Sequence, residues 1–471
     1  MLPTIATGNV ASAIGGGYEV ANSCRFNQPD SAYMSKTHGS AGNQRTFTIS
    51  FWYKRMKTGT NDIIMSTTDG GSSFLSIGFL GGGTYINKLQ FYWYDGSIDY
   101  GYHSARLFRD FSAWYHVVIA VDTTQGTESN RLKIYINGVQ ETLTATYGAF
   151  PENHDTYFNK DNVHYIGYDH DSAGAALNGY LAELVVLDGT AANATSFGEF
   201  DEDSPTIWKP IDVSGLTFGT NGFYLSYSDS ADLGADSSGN TADWTEVNLD
   251  ATDQATDTPT NNFATLNPLI PSGLTYSEGN LGSARTDSGN RAGYGTFGVT
   301  AGKWYWEVKC VAAGTASAVG IGKETNMGNA NAGNSQYAGS ETNDIGYYTD
   351  GNINESASSI GSETSWTDGD IVSVAMDLDN DKVYFAKNDT WQNSGDPSAG
   401  SNGYSITNSS DTFFPQISHS GATDASALSN FGNPPYANSS DAADADGYGA
   451  FEYAPPTGFY ALCTKNLAEY G

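Results

Sequence analysis

The stretch Gly302–Cys310, GKWYWEVKC, decides the fold. Read with period two, it puts Trp304, Trp306, Val308 and Cys310 on one side and Tyr305, Glu307 and Lys309 on the other. Such alternation belongs to a β-strand whose two faces meet different surroundings. Two tryptophans on the buried side call for a second sheet or a thick core beneath them. The expectation for Tyr305, Glu307 and Lys309 is that they point outward.

The same grammar recurs along the chain, and helix grammar is nearly absent. In RTFTISFWYKR, Phe47, Ile49, Phe51 and Tyr53 share one face, while Thr48, Ser50 and Trp52 share the other. Strands are expected at Phe74–Leu80, Leu89–Tyr94 and Tyr115–Val121. RLKIYINGVQ reads as a hairpin, its Asn137-Gly138 turn requiring positive φ. Tyr180–Leu187 is apolar on both faces, as a central strand is, and GFYLSY near 222–227 reads as one more strand of this block. Further on, Ala318–Gly322, Asp344–Thr349, Ile371–Leu378 and Phe413–Ile417 continue the pattern. Val383 and Phe385 return after the turn Asp379-Asn380-Asp381. The fold class is all-β, with two tandem β-sandwich domains.

A chain of 471 residues exceeds one ordinary core, which fits two domains. The expected boundaries are 1–250 for the first sandwich, including the strand near 222–227, and 251–270 for an extended polar linker. The second sandwich then covers 271–436, and 437–471 forms a mobile acidic segment, Asn438–Gly449, and a C-terminal tail in which EYAPPTGFYALCTKNL re-enters with apolar residues. Against 53 Asp and Glu stand only 21 Lys and Arg, a net charge of −32. A field of that sign repels phosphate backbones, so nucleic acid is excluded as a partner. Cys24, Cys310 and Cys463 are odd in number and far apart, which is no disulfide framework. Nothing reads as a secretory signal, and no stretch has the length of a membrane-spanning helix, so membrane insertion is not expected.

Three resemblances sit on these residues. FTISFWYKR at 47–55, WYHVVIAVD at 114–122, RLKIYINGVQ at 131–140 and HYIGY…LNGYLAELVVLDG at 164–189 resemble the laminin-G-like, concanavalin-A-like jelly roll. GKWYWEV at 302–308, VGIG at 319–322, GYYTDGN at 346–352, GDIVSVAMDLDNDKVYFAKND at 369–389 and FFPQIS at 413–418 resemble a SPRY domain. Both resemblances imply bent two-sheet sandwiches that mostly bind. The opening MLPTIATGNVASAI, FGEFDEDSPTIWKPIDVSGLTFGTNGFYLSY, DTPTNNFATLNPL and the closing FEYAPPTGFYALCTKNL resemble structural proteins of tailed bacteriophages of marine bacteria. That resemblance implies a place in a virion: capsid decoration, head fibre or tail fibre, displayed on the particle surface and assembled in the host cytoplasm. Other virion proteins, further copies of the chain and a host surface glycan are the partners it implies.

The candidate sites are few. Concanavalin-A-like glucanases place carboxylates as Glu-x-Asp-x-x-Glu along a strand, flanking the sugar. The nearest match, Glu199-Phe-Asp201-Glu-Asp203-Ser204, ends on a serine followed by Pro205, which argues for an acidic loop. Asp377-Leu-Asp379-Asn-Asp381 resembles the start of a calcium loop, but Lys382 replaces the required glycine and Asn388 the closing glutamate. Asp169 and Asp171 are the calcium candidates, where some laminin-G-like domains hold the ion, against an ordinary exposed turn. No other cofactor is expected. His154, His164 and His170 lack metal-finger spacing. Trp93, Tyr94 and Tyr348 lie near strand ends and are the ligand-binding candidates. The expected function is therefore a non-enzymatic virion protein aiding attachment to host glycans. The alternatives are a receptor-binding fibre adhesin and, lacking a carboxylate triad, a polysaccharide hydrolase.

Overall fold

In a computed structural model, residues 17–57, 59–170, 176–270, 272–285, 289–327, 336–407, 410–421 and 424–471 are described. The chain divides into two compact units that meet between Thr260 and Asn261.

In the first unit, Thr46–Arg55 is the middle of an antiparallel sheet, flanked by Trp114–Asp122 and Gly179–Asp188. Leu132–Ile136 and Val139–Gln140 extend it on one side. Asn137 and Gly138, at φ +50° and +79°, make the turn between them. Ser23–Phe26 and Gln254–Ala255 extend it on the other side. A second sheet runs Leu143–Ala145, Asp99–Ser104, Leu89–Tyr94, Phe74–Phe79, Asp62–Thr68, Val163–Ile166, Tyr33–Thr37 and Thr245–Val247. Phe47, Ile49, Phe51 and Tyr53 face Leu75, Ile77, Phe91 and Trp93 in the core between the sheets.

The second unit repeats the plan. Lys303–Ala312 lies between Ile371–Asp377 and Ala425–Asn430, and the opposing sheet centres on Ala318–Lys323 between Phe413–His419 and Ile345–Tyr348. Trp304, Trp306, Val308 and Cys310 fill the space between them. The three cysteines are free and buried. The α-helices among the described residues, Glu324–Met327 and Thr464–Tyr470, are short, and none is long and apolar enough to cross a membrane.

Three expectations need correction. Tyr305 and Glu307 are buried, 1% and 0% exposed, because a second layer covers their side of the strand. That layer is the closing segment: EYAPPTGFYALCTKNL does re-enter, and the acidic stretch expected to be mobile is held with it, Asp444 being buried and accepting from the Ala461 amide. Phe451, Phe459, Ala461 and Cys463 pack with Tyr305 and Ala375, and Tyr460–Ala461 pairs in parallel with Trp304 and Tyr305. Residues 251–270 are not a linker with nothing to bury. Gln254–Ala255 joins a sheet, while Asp257 meets Lys54 at 2.5 Å and accepts from Trp114 Nε1 at 2.9 Å, fully buried. Phe263, Ala264 and Leu266 sit in cores of the second unit. Composition misled here because backbone pairing, one buried ion pair and a few widely spaced apolar side chains fix this stretch.

Candidate functional site

The Leu89–Tyr94 strand carries the site, and its alternation explains why. Leu89, Phe91 and Trp93 turn into the core, which leaves Gln90, Tyr92 and Tyr94 on the outer face of the second sheet. Register aligns these with their neighbours. Asp99, Tyr94, Phe74 and Thr68 form one row across the sheet; Gly101, Tyr92, Ser76 and Ser66 form the next. Tyr92 stands 5.4 Å from Phe74 and 5.5 Å from Tyr147, centroid to centroid, and Phe74 is 6.1 Å from Tyr94. His170 stacks on Phe74 at 3.9 Å.

Two details make this a built surface. A Cβ on Gly101 would come within 2.7 Å of the Tyr147 ring and 3.3 Å of the Tyr92 ring, so glycine leaves the floor low enough for Tyr147 to lie across it. Tyr147 is 49% exposed despite that support. The Tyr92 hydroxyl donates to Asp99 Oδ1, and burial together with that carboxylate pushes its pKa up. The arrangement offers ring faces for apolar stacking and a carboxylate oriented to accept hydrogen bonds, the mixture on which ligand sites are built.

The expected site residues fare unequally. Trp93 is 0% exposed, packed against Tyr100, Phe150 and His154, and has no face for a ligand. Tyr94 is half-buried within the aromatic face. Tyr348 belongs to the second unit, where it is half-buried near Tyr337. Asp169 pairs with His170 Nδ1 at 2.9 Å, and Asp171 lies outside the described residues. Among the described residues no three His, Cys, Asp or Glu side chains gather closely enough to hold a metal ion. Tyr92, Phe74, Tyr147 and Asp99 were missed. The period of LQFYWY already separates Trp93 from Tyr92 and Tyr94, but the pairing that brings in Phe74, Asp99 and Tyr147 is long-range.

Arrangements resembling catalytic ones have structural roles. Glu199 and Asp201 lie on a small hairpin, Gly198–Phe200 with Trp208–Pro210, and Lys209 sits 3.4 Å from each carboxylate. Asp377 and Asp379 shape a hairpin: Asp377 accepts from Asn380, and Asp379 from the Gly302 amide. Ser50 and His116 are 2.9 Å apart, yet Trp208 Nε1 donates to His116 Nδ1. The proton of the neutral ring therefore sits on Nε2 and points at the serine, the wrong way round for a base. Burial lowers the His116 pKa to about 3.

Residues 29–195 match the family model described as the concanavalin A-like lectin/glucanases superfamily, and residues 303–433 match the SPRY domain model. No curated protein matches the chain. Among solved structures, the SPRY domain of human HERC1 is 16% identical over 35% of this chain and 96% of that one, with a TM-score of 0.27. A putative carbohydrate binding protein from Bacteroides ovatus ATCC 8483 is 17% identical over 49% of this chain and 58% of its own, with a TM-score of 0.34. A heptameric SAP-like pentraxin from Limulus polyphemus is 16% identical over 38% and 80%, with a TM-score of 0.28. The chain thus carries a concanavalin-A-like, laminin-G-like domain followed by a SPRY domain.

Proposed function

We propose that this chain is a non-catalytic attachment protein whose first unit binds a surface glycan through the aromatic outer face of its second sheet. The observation that carries the reading is the contiguous set Tyr147, Tyr92, Phe74 and Tyr94 around Asp99. Sugars present alternating apolar and hydroxyl-bearing faces, which ring stacking and a carboxylate acceptor satisfy together. The face is shallow, so a single copy binds weakly. Many copies on one particle gain avidity of about 10² to 10⁴ without new contacts. Display on a tailed-phage virion, as decoration or fibre, supplies that repetition, and the resemblance of the opening, middle and closing segments to phage structural proteins favours it.

The test is retention on host envelopes. Multimerised wild-type chain is expected to be retained, the isolated monomer weakly or not at all. Phe74→Ala/Tyr92→Ala should abolish retention while leaving the melting of the second unit unchanged. Retention equal in the double variant would refute the site. Absence of the protein from purified virions would refute the display. Release of reducing ends from host polysaccharide, lost in Glu199→Gln, would replace binding with hydrolysis.

A further inference from the structure

We infer that this face selects glycans by charge: it takes sugars bearing a free ammonium group and turns away sulfated, phosphorylated or uronate chains. The inference rests on the reading of the face as a glycan site. Its own ground is the distribution of charge. Of the eight paired positions Asp99, Tyr94, Phe74, Thr68, Gly101, Tyr92, Ser76 and Ser66, one is anionic and none cationic.

The turns that follow Thr68 and Tyr94 lie side by side at one end of the sheet, so close that a Cβ on Gly96 would sit 3.1 Å from Ser73 Oγ. Asp69 and Asp95 shape these turns, and Asp95 is turned to the core side, toward the Tyr100 hydroxyl and His154. Lys160 is near enough to Asp69 to be felt, which leaves Asp99 as the carboxylate of the face. Charge elsewhere on the chain matters less, since screening extends only about 8 Å at physiological ionic strength. A bound sugar therefore meets mainly Asp99.

Geometry adds a preference to the repulsion. Asp99 Oδ1 is occupied by the Tyr92 hydroxyl, and the half-buried carboxylate stands among ring faces. Ring faces attract cations through their quadrupole, and a carboxylate at their centre adds a charge-assisted hydrogen bond. An ammonium group satisfies both demands at once. A sulfate or uronate satisfies neither and must approach Asp99 on a face whose eight paired positions hold no cation.

The experiment compares three probes on the full chain: an unacetylated β-linked glucosamine oligomer, its fully N-acetylated counterpart, and a sulfated polysaccharide. Each is titrated against wild type and Asp99→Asn, a change that removes the charge but keeps an acceptor for Tyr92. Wild type is expected to favour the unacetylated oligomer about tenfold, the scale of one charge-assisted hydrogen bond. That advantage should shrink with added salt and vanish in Asp99→Asn, and the sulfated chain should not bind. Equal affinity for acetylated and unacetylated oligomers, unchanged in Asp99→Asn, would overturn the charge selection while leaving the glycan site standing. Preference for the sulfated chain would do the same. Failure of all three probes, even against multimerised protein, would remove the glycan site and the selection together.

Discussion

Thr46–Arg55 and Lys303–Ala312 occupy the same place in their units and solve one problem differently. Each is a ten-residue strand with aromatic side chains on both faces. Each meets an opposing sheet on its inner side. On the outer side, Trp52 lies under Phe197, Trp208, Val213 and Phe218, drawn from the stretch that follows the sheet, with Val20 and Ala255 from either end of the unit. Tyr305 lies under Phe451, Phe459, Ala461 and Cys463 of the C-terminal segment, with Phe263 beside them in the cluster. The first strand's cover is assembled from scattered pieces; the second's is one continuous strap. Period two states which side chains share a face, whereas what lies above that face depends on distant, aperiodic chain.

The largest effect expected from this difference is removal of residues 437–471. Loss of the strap uncovers Tyr305, Ala375 and Glu307 at once, so the second unit should lose cooperative thermal unfolding while the first keeps its transition. A second transition that survives intact would mean the strap is a passenger. Single truncations come next. Trp306→Ala and Trp52→Ala should each cost about 3–5 kcal/mol, the usual penalty for emptying a large buried aromatic site. Tyr305→Ala belongs in the same range, since its ring is packed edge-on against Phe451 at 5.0 Å and its hydroxyl donates to Glu307. A cost under about 1 kcal/mol at Tyr305, measured by denaturant unfolding, would put that side chain back on the surface.

Much of the fold was legible because it is written locally. The inner faces of Thr46–Arg55 and Lys303–Ala312, the Asn137-Gly138 hairpin and the Asp379–Asp381 turn follow from spacing and turn chemistry alone. Of the strap, the apolar return of EYAPPTGFYALCTKNL was legible and the hold of the acidic stretch before it was not. YANSSDAADADGYGAFEY reads as solvated, because its hold on the sheet comes from backbone amides and a few widely spaced rings. For the site, spacing placed Tyr94 on the right strand but chose the inward Trp93 beside it. Asp99 and Phe74 could be found only through the register of three strands.

The smallest effect separates the two covers most sharply, because each unit buries one glutamate beneath its cover. Glu183 sits at a bulge in Gly179–Asp188, at φ +51°, and accepts from the hydroxyls of Tyr224 at 2.8 Å and Tyr18 at 3.1 Å. Glu307 accepts from the backbone amides of Tyr453 at 2.8 Å and Glu452 at 2.9 Å, from the Tyr305 hydroxyl at 2.9 Å and from Asn430 Nδ2 at 3.3 Å. Burial pushes both carboxyls from 4.5 up to about 7, against the pull of those donors. Between these values the folded chain keeps a proton that the unfolded chain releases, so each glutamate makes stability fall as pH rises through that window. Glutamine removes both slopes, but its amide meets different partners. At 183 a tyrosine hydroxyl can rotate to accept from the new NH₂ group, so Glu183→Gln should leave stability at neutral pH within about 0.5 kcal/mol of wild type. At 307 each oxygen faces a fixed backbone N–H, and whichever becomes NH₂ leaves two donors opposed. Glu307→Gln should therefore cost about 2 kcal/mol and loosen the strap, seen as faster amide exchange at Glu452 and Tyr453. Equal costs at the two positions would mean that the strap is not held by its backbone, and that the two units cover their central strands in the same way after all.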